Sequence, residues 1–331
     1  MQHTPFGRTG LHVSKLCLGT MTFGLQCDEA QSHSILDTAS AGGIDFLDAA
    51  DVYPLGGGHN TAGRTEEIVG GWLKGKRHEF VLATKCVGSM GPKPWDQGMS
   101  RKHILGAIDA SLRRLGTDYV DLYQLHSYDP HTPMDEALEA LDTVVRHGKA
   151  RYVGVSNWPA YKIARAIGRS EVKSLMRIES VQPRYNLLFR TFERDLLPLC
   201  AEESVAVITY NPLAGGLLTG KHDSKEAPPE GSRFQLGTAG ARYQERYWHG
   251  QQFEAIEALR KIAKDAAMSM TTMAMRWVIS NPAITAPIIG ASRPEQLADS
   301  LAAAEQGPLP DDLKSKLDDV TVSWRMADAD R

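Results

Sequence analysis

Cysteine is scarce in this chain of 331 residues: Cys17, Cys27, Cys86 and Cys200 are all there is, and no two of them form a C-x-x-C pair. So few thiols in so long a chain argue against a disulfide framework and fit reduced cytosolic cysteines. An overall positive charge is also lacking. The 37 basic and 40 acidic side chains leave a formal charge of -3, so no field exists to gather phosphate backbones or an anionic membrane. Nucleic acid is not an expected partner. No stretch approaches the roughly 18 uncharged apolar residues that a membrane-spanning helix requires. The first ten residues, MQHTPFGRTG, hold no apolar signal core. Internal repeats and low-complexity segments are absent too. A cytoplasmic location is therefore the expectation.

What is present is a composition suited to a folded core, 42% hydrophobic and 23% charged, and a regular alternation. Short β-rich apolar runs occur at 16–20 (LCLGT), 44–48 (IDFLD), 80–85 (FVLATK), 119–126 (YVDLYQLH), 152–157 (YVGVSN), 180–184 (SVQPR), 205–210 (VAVITY) and 286–290 (APIIG). Amphipathic segments lie between them. In MSRKHILGAIDASLRRLG, Ile104, Ile108, Leu112 and Leu115 recur at helical spacing and Gly116 supplies a stop. Eight βα units in a chain of this length predict one closed (β/α)8 TIM barrel domain over 1–331 rather than a doubly wound sheet. FGRTGLHVSKL, around Thr9-Gly10, predicts a β-hairpin that plugs the barrel bottom. The interval between the last two runs exceeds one βα unit. It reads as a long loop near 222–245, followed by helices at FEAIEALRKIAKDAA and MTTMAMRWVIS, with a closing helix at DDLKSKLDDVTVSW.

In this architecture active sites form where strands end and βα loops begin. The second run ends in Asp48, with Tyr53 five residues on; the third ends in Lys85 and the fourth in His126. Strands about 5 Å apart bring these ends to one mouth. Singly, each is a commonplace polar residue at a strand end. Together they suit the polarisation of a carbonyl and delivery of a proton, because an ammonium next to a phenol lowers the phenol's pKa and a carboxylate offsets the burial of the lysine. His126 would donate to a substrate oxygen or relay the proton. None of the four is a strong nucleophile, which disfavours acyl transfer. Asp51 reads as a cap or a solvated loop charge. The residues His126, Asp129 and His131 read as loop residues, since they lack helical ligand spacing, so no metal is expected. GGLLTGKH is a near miss to a phosphate-binding P-loop, with His222 where the motif needs a hydroxyl. Trp158 and Tyr185 fit either a pocket wall or the core. The rim of the mouth is expected from 54–63, from 88–98 including Trp95, and from the long loop.

GRTGLHVSKLCLGTMTFG, LDAADVY, ATK, LYQLHS, GVSNW, QPRYN, YNPLAGGLLTGK and IIGASRPEQL resemble the signatures of the aldo-keto reductases, in that family's order and over nearly the whole chain. The resemblance implies a (β/α)8 barrel that binds NADP(H) without a Rossmann domain and reduces an aldehyde or ketone, a small-molecule carbonyl substrate. Tyr53 would be the general acid, assisted by Lys85, Asp48 and His126. It also implies cofactor contacts. Ser156, Asn157 and Gln182 would hold the carboxamide and Tyr210 would stack on the nicotinamide. Gly19, Thr20, Asn211, Pro212, Leu213, Gly215, Leu217 and Lys221 would lie along the nucleotide. Gly290, Ser292, Arg293 and Gln296 would meet the adenosine 2'-phosphate and adenine, with Ser292 capping a helix begun by Pro294. Asp299-Ser300 stands where the family commonly has Glu-Asn. Some family members act chiefly as nucleotide-binding auxiliary subunits of ion channels, which is the alternative function.

Overall fold

In the computed structural model, which describes residues 1–223 and 226–325, the alternation resolves into a closed ring of eight parallel strands. Two short strands come first, β1 (His3–Pro5) and β2 (His12–Ser14), paired antiparallel. The ring follows as β3 (Cys17–Gly19), β4 (Phe46–Asp48), β5 (Val81–Cys86), β6 (Val120–Leu125), β7 (Ala150–Ser156), β8 (Ile178–Gln182), β9 (Ala206–Thr209) and β10 (Ala286–Ile289). Each ring strand pairs with the next and β10 closes on β3, giving the expected (β/α)8 TIM barrel.

Six helices interleave with the strands up to β9: α1 (Glu29–Ala41), α2 (Arg64–Leu73), α3 (Arg101–Leu115), α4 (Met134–Arg146), α5 (Ala160–Val172) and α6 (Leu196–Glu202). Their ends follow local chemistry. Ser100 accepts from the His103 N–H at the start of α3, and Gly116 ends it at φ 62°, where a side chain would cost backbone energy.

Period-two alternation divides the strand residues between two cores. Cys17, Phe46, Ala83, Leu122, Ala206, Ile208 and Ala286 fill the barrel interior together with Phe6. Leu18, Leu47, Leu82, Tyr123, Val153, Val181 and Val207 pack outward against the helices. The hairpin does cover the barrel floor, but its strands sit earlier than expected, with residues 6–11 as the connection. Phe6 explains the shift. Its N–H bonds to the Leu11 carbonyl and its carbonyl accepts from the Thr9 hydroxyl, closing the loop, and its ring is fully buried edge-on to Phe46.

The connection from β9 to β10 departs most from expectation. It carries α7 (Gly237–Tyr247), α8 (Gly250–Asp265) and α9 (Met270–Ile279), and α10 (Ala298–Gln306) and α11 (Asp311–Val320) follow β10. α7 falls partly within the segment read as loop. Gly237, Thr238 and Gly240 make its start a poor helix former, and no side chain caps it. Tertiary contacts hold it instead: Tyr243 and Tyr247 are buried, and Gln244 Nε2 donates to the Phe234 carbonyl. Residues 224–225 of that loop lie outside the described residues.

Candidate active site

The ends of the strands surround a cavity of about 1130 Å³. Asp48, the last residue of β4, points inward and is 2% exposed; Lys85, near the end of β5, is fully buried. Burial of two charges is tolerable because they meet: Lys85 Nζ donates to Asp48 Oδ2 at 2.6 Å and to the Ala49 carbonyl at 2.8 Å. The other carboxylate oxygen, Oδ1, accepts from Gln182 Nε2 at 2.9 Å and Gln124 Nε2 at 3.3 Å. Tyr53 hangs over this pair with its hydroxyl 3.5 Å from Lys85 Nζ, the outer limit of a hydrogen bond. Its ring meets that of His126 edge-on, with centroids 5.7 Å apart. All four residues therefore converge, and Asp48, Tyr53 and His126 open onto the cavity.

Electrostatics corrects one expectation. Burial outweighs the pull of Lys85 and pushes the Tyr53 phenol up to about 12, so the hydroxyl keeps its proton at neutral pH. Burial also lowers Lys85, yet Asp48 and Tyr53 more than offset it and the ammonium is held above its ordinary value. Burial, Lys85 and then Arg242 push His126 down to about 3. A neutral imidazole can donate a hydrogen bond, but it carries no proton as a cation at neutral pH.

Most residues expected around a nucleotide line the same cavity. Gly19, Ser156, Asn157, Gln182, Tyr210, Asn211, Pro212, Leu213, Gly215, Lys221, Gly290, Ser292, Arg293 and Gln296 do so; Thr20, Lys85 and Leu217 stand behind its wall. Thr20 donates to the Asp48 carbonyl and Leu217 is core. Ser156 donates to the Gln182 carbonyl, and Asn157 Nδ2 reaches Ser156 and the His126 carbonyl while its Oδ1 accepts from the Tyr210 hydroxyl. Gly215, at φ 71°, leaves no room for a Cβ, which would stand 2.7 Å from the Tyr243 ring. Ser292 does not cap a helix. The turn Pro294–Leu297 opens from Arg293, and Gln296 Oε1 accepts the Ser292 N–H instead.

A match to the Aldo/keto reductase family spans residues 15–321. The chain belongs to that family. It is 39% identical over 313 residues to an uncharacterized oxidoreductase of Bacillus subtilis, YrpG, covering 92% of this chain and 91% of that one. A probable voltage-gated potassium channel subunit beta of Arabidopsis thaliana is 36% identical, with 93% of each chain covered. A putative aryl-alcohol dehydrogenase of Schizosaccharomyces pombe is 33% identical, over 93% of this chain and 92% of its own. The protein is thus an oxidoreductase of the aldo/keto reductase type, and no helix among its described residues is long and apolar enough to cross a membrane.

Several sequence readings on this aldo/keto reductase need correction. Asp51 is neither a cap nor solvated: it is fully buried and neither carboxyl oxygen has a hydrogen-bond partner. Burial and then Glu66 push its pKa well above the ordinary carboxylate range. For Trp158 and Tyr185 the core alternative holds: they pack edge-on to Tyr128 and stacked on Trp277 respectively. Residues 88–98 line none of it, because Asp96 folds that segment on itself through Met90 and Lys93, leaving Trp95 half exposed. Asp129 organises its own loop by accepting from Thr132, His131 and Met99. The rim expected near 222–245 does line the cavity, but its residues Arg233, Arg242 and Tyr243, and Arg246 just beyond it, were not singled out. The spacing of Arg242 with Arg246 and of Tyr243 with Tyr247, each four apart, was the available signal.

Proposed function

We propose that the protein reduces an aldehyde or ketone to an alcohol with NADPH, using Tyr53 as the proton donor. The observation that carries this reading is the Asp48–Lys85–Tyr53 contact, buried yet open to a large cavity on the Tyr53 side. The cavity fits a dinucleotide: Asn211 Nδ2, His222 Nδ1 and Ser232 Oγ are buried polar atoms on its wall without partners. Gly215 and Gly216, both at positive φ, leave backbone exposed there. Bound there, the reduced nicotinamide would supply the hydride. Ser156, Asn157 and Gln182 would hold its carboxamide, Tyr210 its ring face, and Lys221 and Arg293 its phosphates.

Each protein group then has a defined task. Tyr53 Oη holds its proton until a substrate oxygen develops negative charge, then transfers it. Lys85 stabilises the phenolate that results, and Asp48 keeps the ammonium aimed at it. Neutral His126 donates to the same oxygen. Oxidation of NADPH followed at 340 nm against a panel of aldehydes and ketones tests the reading, and turnover of at least one carbonyl is expected. Replacing Arg293 with Ala should weaken NADPH far more than NADH; equal losses would contradict the 2'-phosphate assignment. The relative named as a potassium channel subunit supports a second reading, a nucleotide-binding auxiliary subunit. On that reading this chain would bind NADPH and leave every carbonyl unreduced.

A further inference from the structure

Helix α7 carries two pairs of residues at four-residue spacing. Tyr243 and Tyr247 are buried, whereas Arg242 and Arg246 both line the main cavity, the first exposed and the second half-buried. Several of the described arginines have carboxylate partners: Arg64 pairs with Glu29 and Glu67, Arg114 with Glu66, Arg190 with Glu193 and Asp318. Among the described residues, Arg242 and Arg246 have none.

Their charge acts at the catalytic end of the cavity. Arg242 is the cation that, after burial and Lys85, depresses His126, and Arg246, Arg184 and Arg242 all oppose the effect of burial on Tyr210. The carboxylates on the cavity wall do not neutralise them. Asp48 is bound to Lys85, Glu295 and Asp299 flank Gln296, and Glu230 lies in the segment that leads to Arg233. Glu245, on the same helix, lines an adjoining smaller cleft that Arg242 and Arg246 also border, yet it forms no ion pair with either of them. Arg233 lies between Gly290 and α7, with Nη1 3.5 Å from the Tyr243 hydroxyl. The cavity onto which Tyr53 opens therefore holds two guanidiniums that have no ion-pair partner among the described residues.

We propose that Arg242 and Arg246 bind the carboxylate of an oxo acid, holding its aldehyde or ketone carbonyl toward Tyr53. Guanidiniums match a carboxylate with parallel N–H donors, and the partly enclosed cleft strengthens the contact relative to water. This selects acidic carbonyl compounds over neutral ones of equal size. The inference rests on the carbonyl-reductase reading for the reacting group, but the anion site itself does not depend on turnover.

The test compares 4-carboxybenzaldehyde with its methyl ester. Wild-type kcat/KM should favour the acid by about tenfold, as expected for charge-assisted bonds, and added salt should shrink the margin. R242Q/R246Q should abolish the preference by raising KM for the acid, and R242K/R246K should retain part of it. Calorimetry of benzoate against benzamide, with NADPH present, reads the same site without chemistry. Benzoate should bind more tightly to the wild type and lose that advantage in R242Q/R246Q. Equal binding of the two ligands by the wild type, or a preference that survives R242Q/R246Q, would overturn the proposal. So would a large loss of NADPH affinity in R242Q/R246Q, which would assign the pair to cofactor phosphates. Arginine-dependent benzoate binding with neither aldehyde reduced would sink the reductase reading and leave the anion site standing.

Discussion

Strand β5 separates two buried ionic clusters. On its inner face Lys85 meets Asp48 at 2.6 Å, and the carboxylate's remaining oxygen takes two glutamine N–H groups. On its outer face Thr84 donates to Glu66 at 2.5 Å and Arg114 to the same carboxylate at 2.7 Å, while Asp51 nearby is left with no partner at all. Both clusters lie in the dry interior, but they resolve the cost of burial differently. Inside, charge is kept because every charged atom is matched. Outside, one cation serves one of two carboxylates, and burial raises the pKa of the second. Asp51 also contributes, after burial itself, to the raised pKa of Cys86. A perturbed buried acid is thus not by itself a sign of chemistry. The inner cluster differs in opening to the main cavity through Tyr53 and Asp48, whereas Asp51 and Glu66 do not line that cavity.

The largest expected effect tests the inner cluster directly. Replacing Tyr53 with Phe removes the proposed donor and should lower kcat by about 10²–10⁴-fold, with NADPH fluorescence titrations unchanged; a fully active variant would end the assignment. Since His126 is held near 3, the wild-type pH profile of kcat should show no inflection around the ordinary histidine pKa of about 6.5. Replacing Lys85 with Met leaves Asp48 buried without its cation, which costs about 3–5 kcal/mol. Urea denaturation should show this loss, and adding Asp48→Asn should recover part of it, as expected for residues in contact.

The outer cluster predicts a smaller effect of opposite sign. Asp51→Asn removes an unpaired acid and should change unfolding free energy by only about 1 kcal/mol at pH 5. Its pH dependence carries the information. The native pKa of Asp51 lies above the ordinary aspartate value of 3.8, so the unfolded chain sheds its proton first as pH rises from 3.8. Wild-type stability should fall relative to the variant from there upward, until the native carboxyl ionises. A difference between the two melting temperatures that stays flat from pH 4 to pH 8 would mean that Asp51 is ionised and paired after all.

Much of the inner cluster was legible because it is written in local patterns. Asp48, Lys85 and His126 each end a β-rich run, and a parallel barrel brings consecutive strand ends to one rim whatever the loops do. The unlowered phenol was not legible, since Lys85 favours an acidic Tyr53 and only the depth of burial reverses the balance. Asp51 was misread for a similar reason: three residues from Asp48, it faces the opposite side of the sheet, into the helix layer. The arginines of α7 were hidden by glycines that make their segment resemble a loop, and its helix is held by contacts of Tyr243 and Gln244 with Phe234.

From sequence alone came the strand and helix periods, the helix stop at Gly116, the closed barrel and the convergence of the tetrad. These depend on residues close in the chain. Tertiary structure alone decided which carboxylate would be matched and which cation would face the cavity. Those outcomes rest on contacts such as Arg114 with Glu66, or Gln26 Nε2 donating to the Gly231 carbonyl, between residues far apart in the chain. Desolvation and pairing are set by the whole surrounding volume, and no short window of sequence contains it.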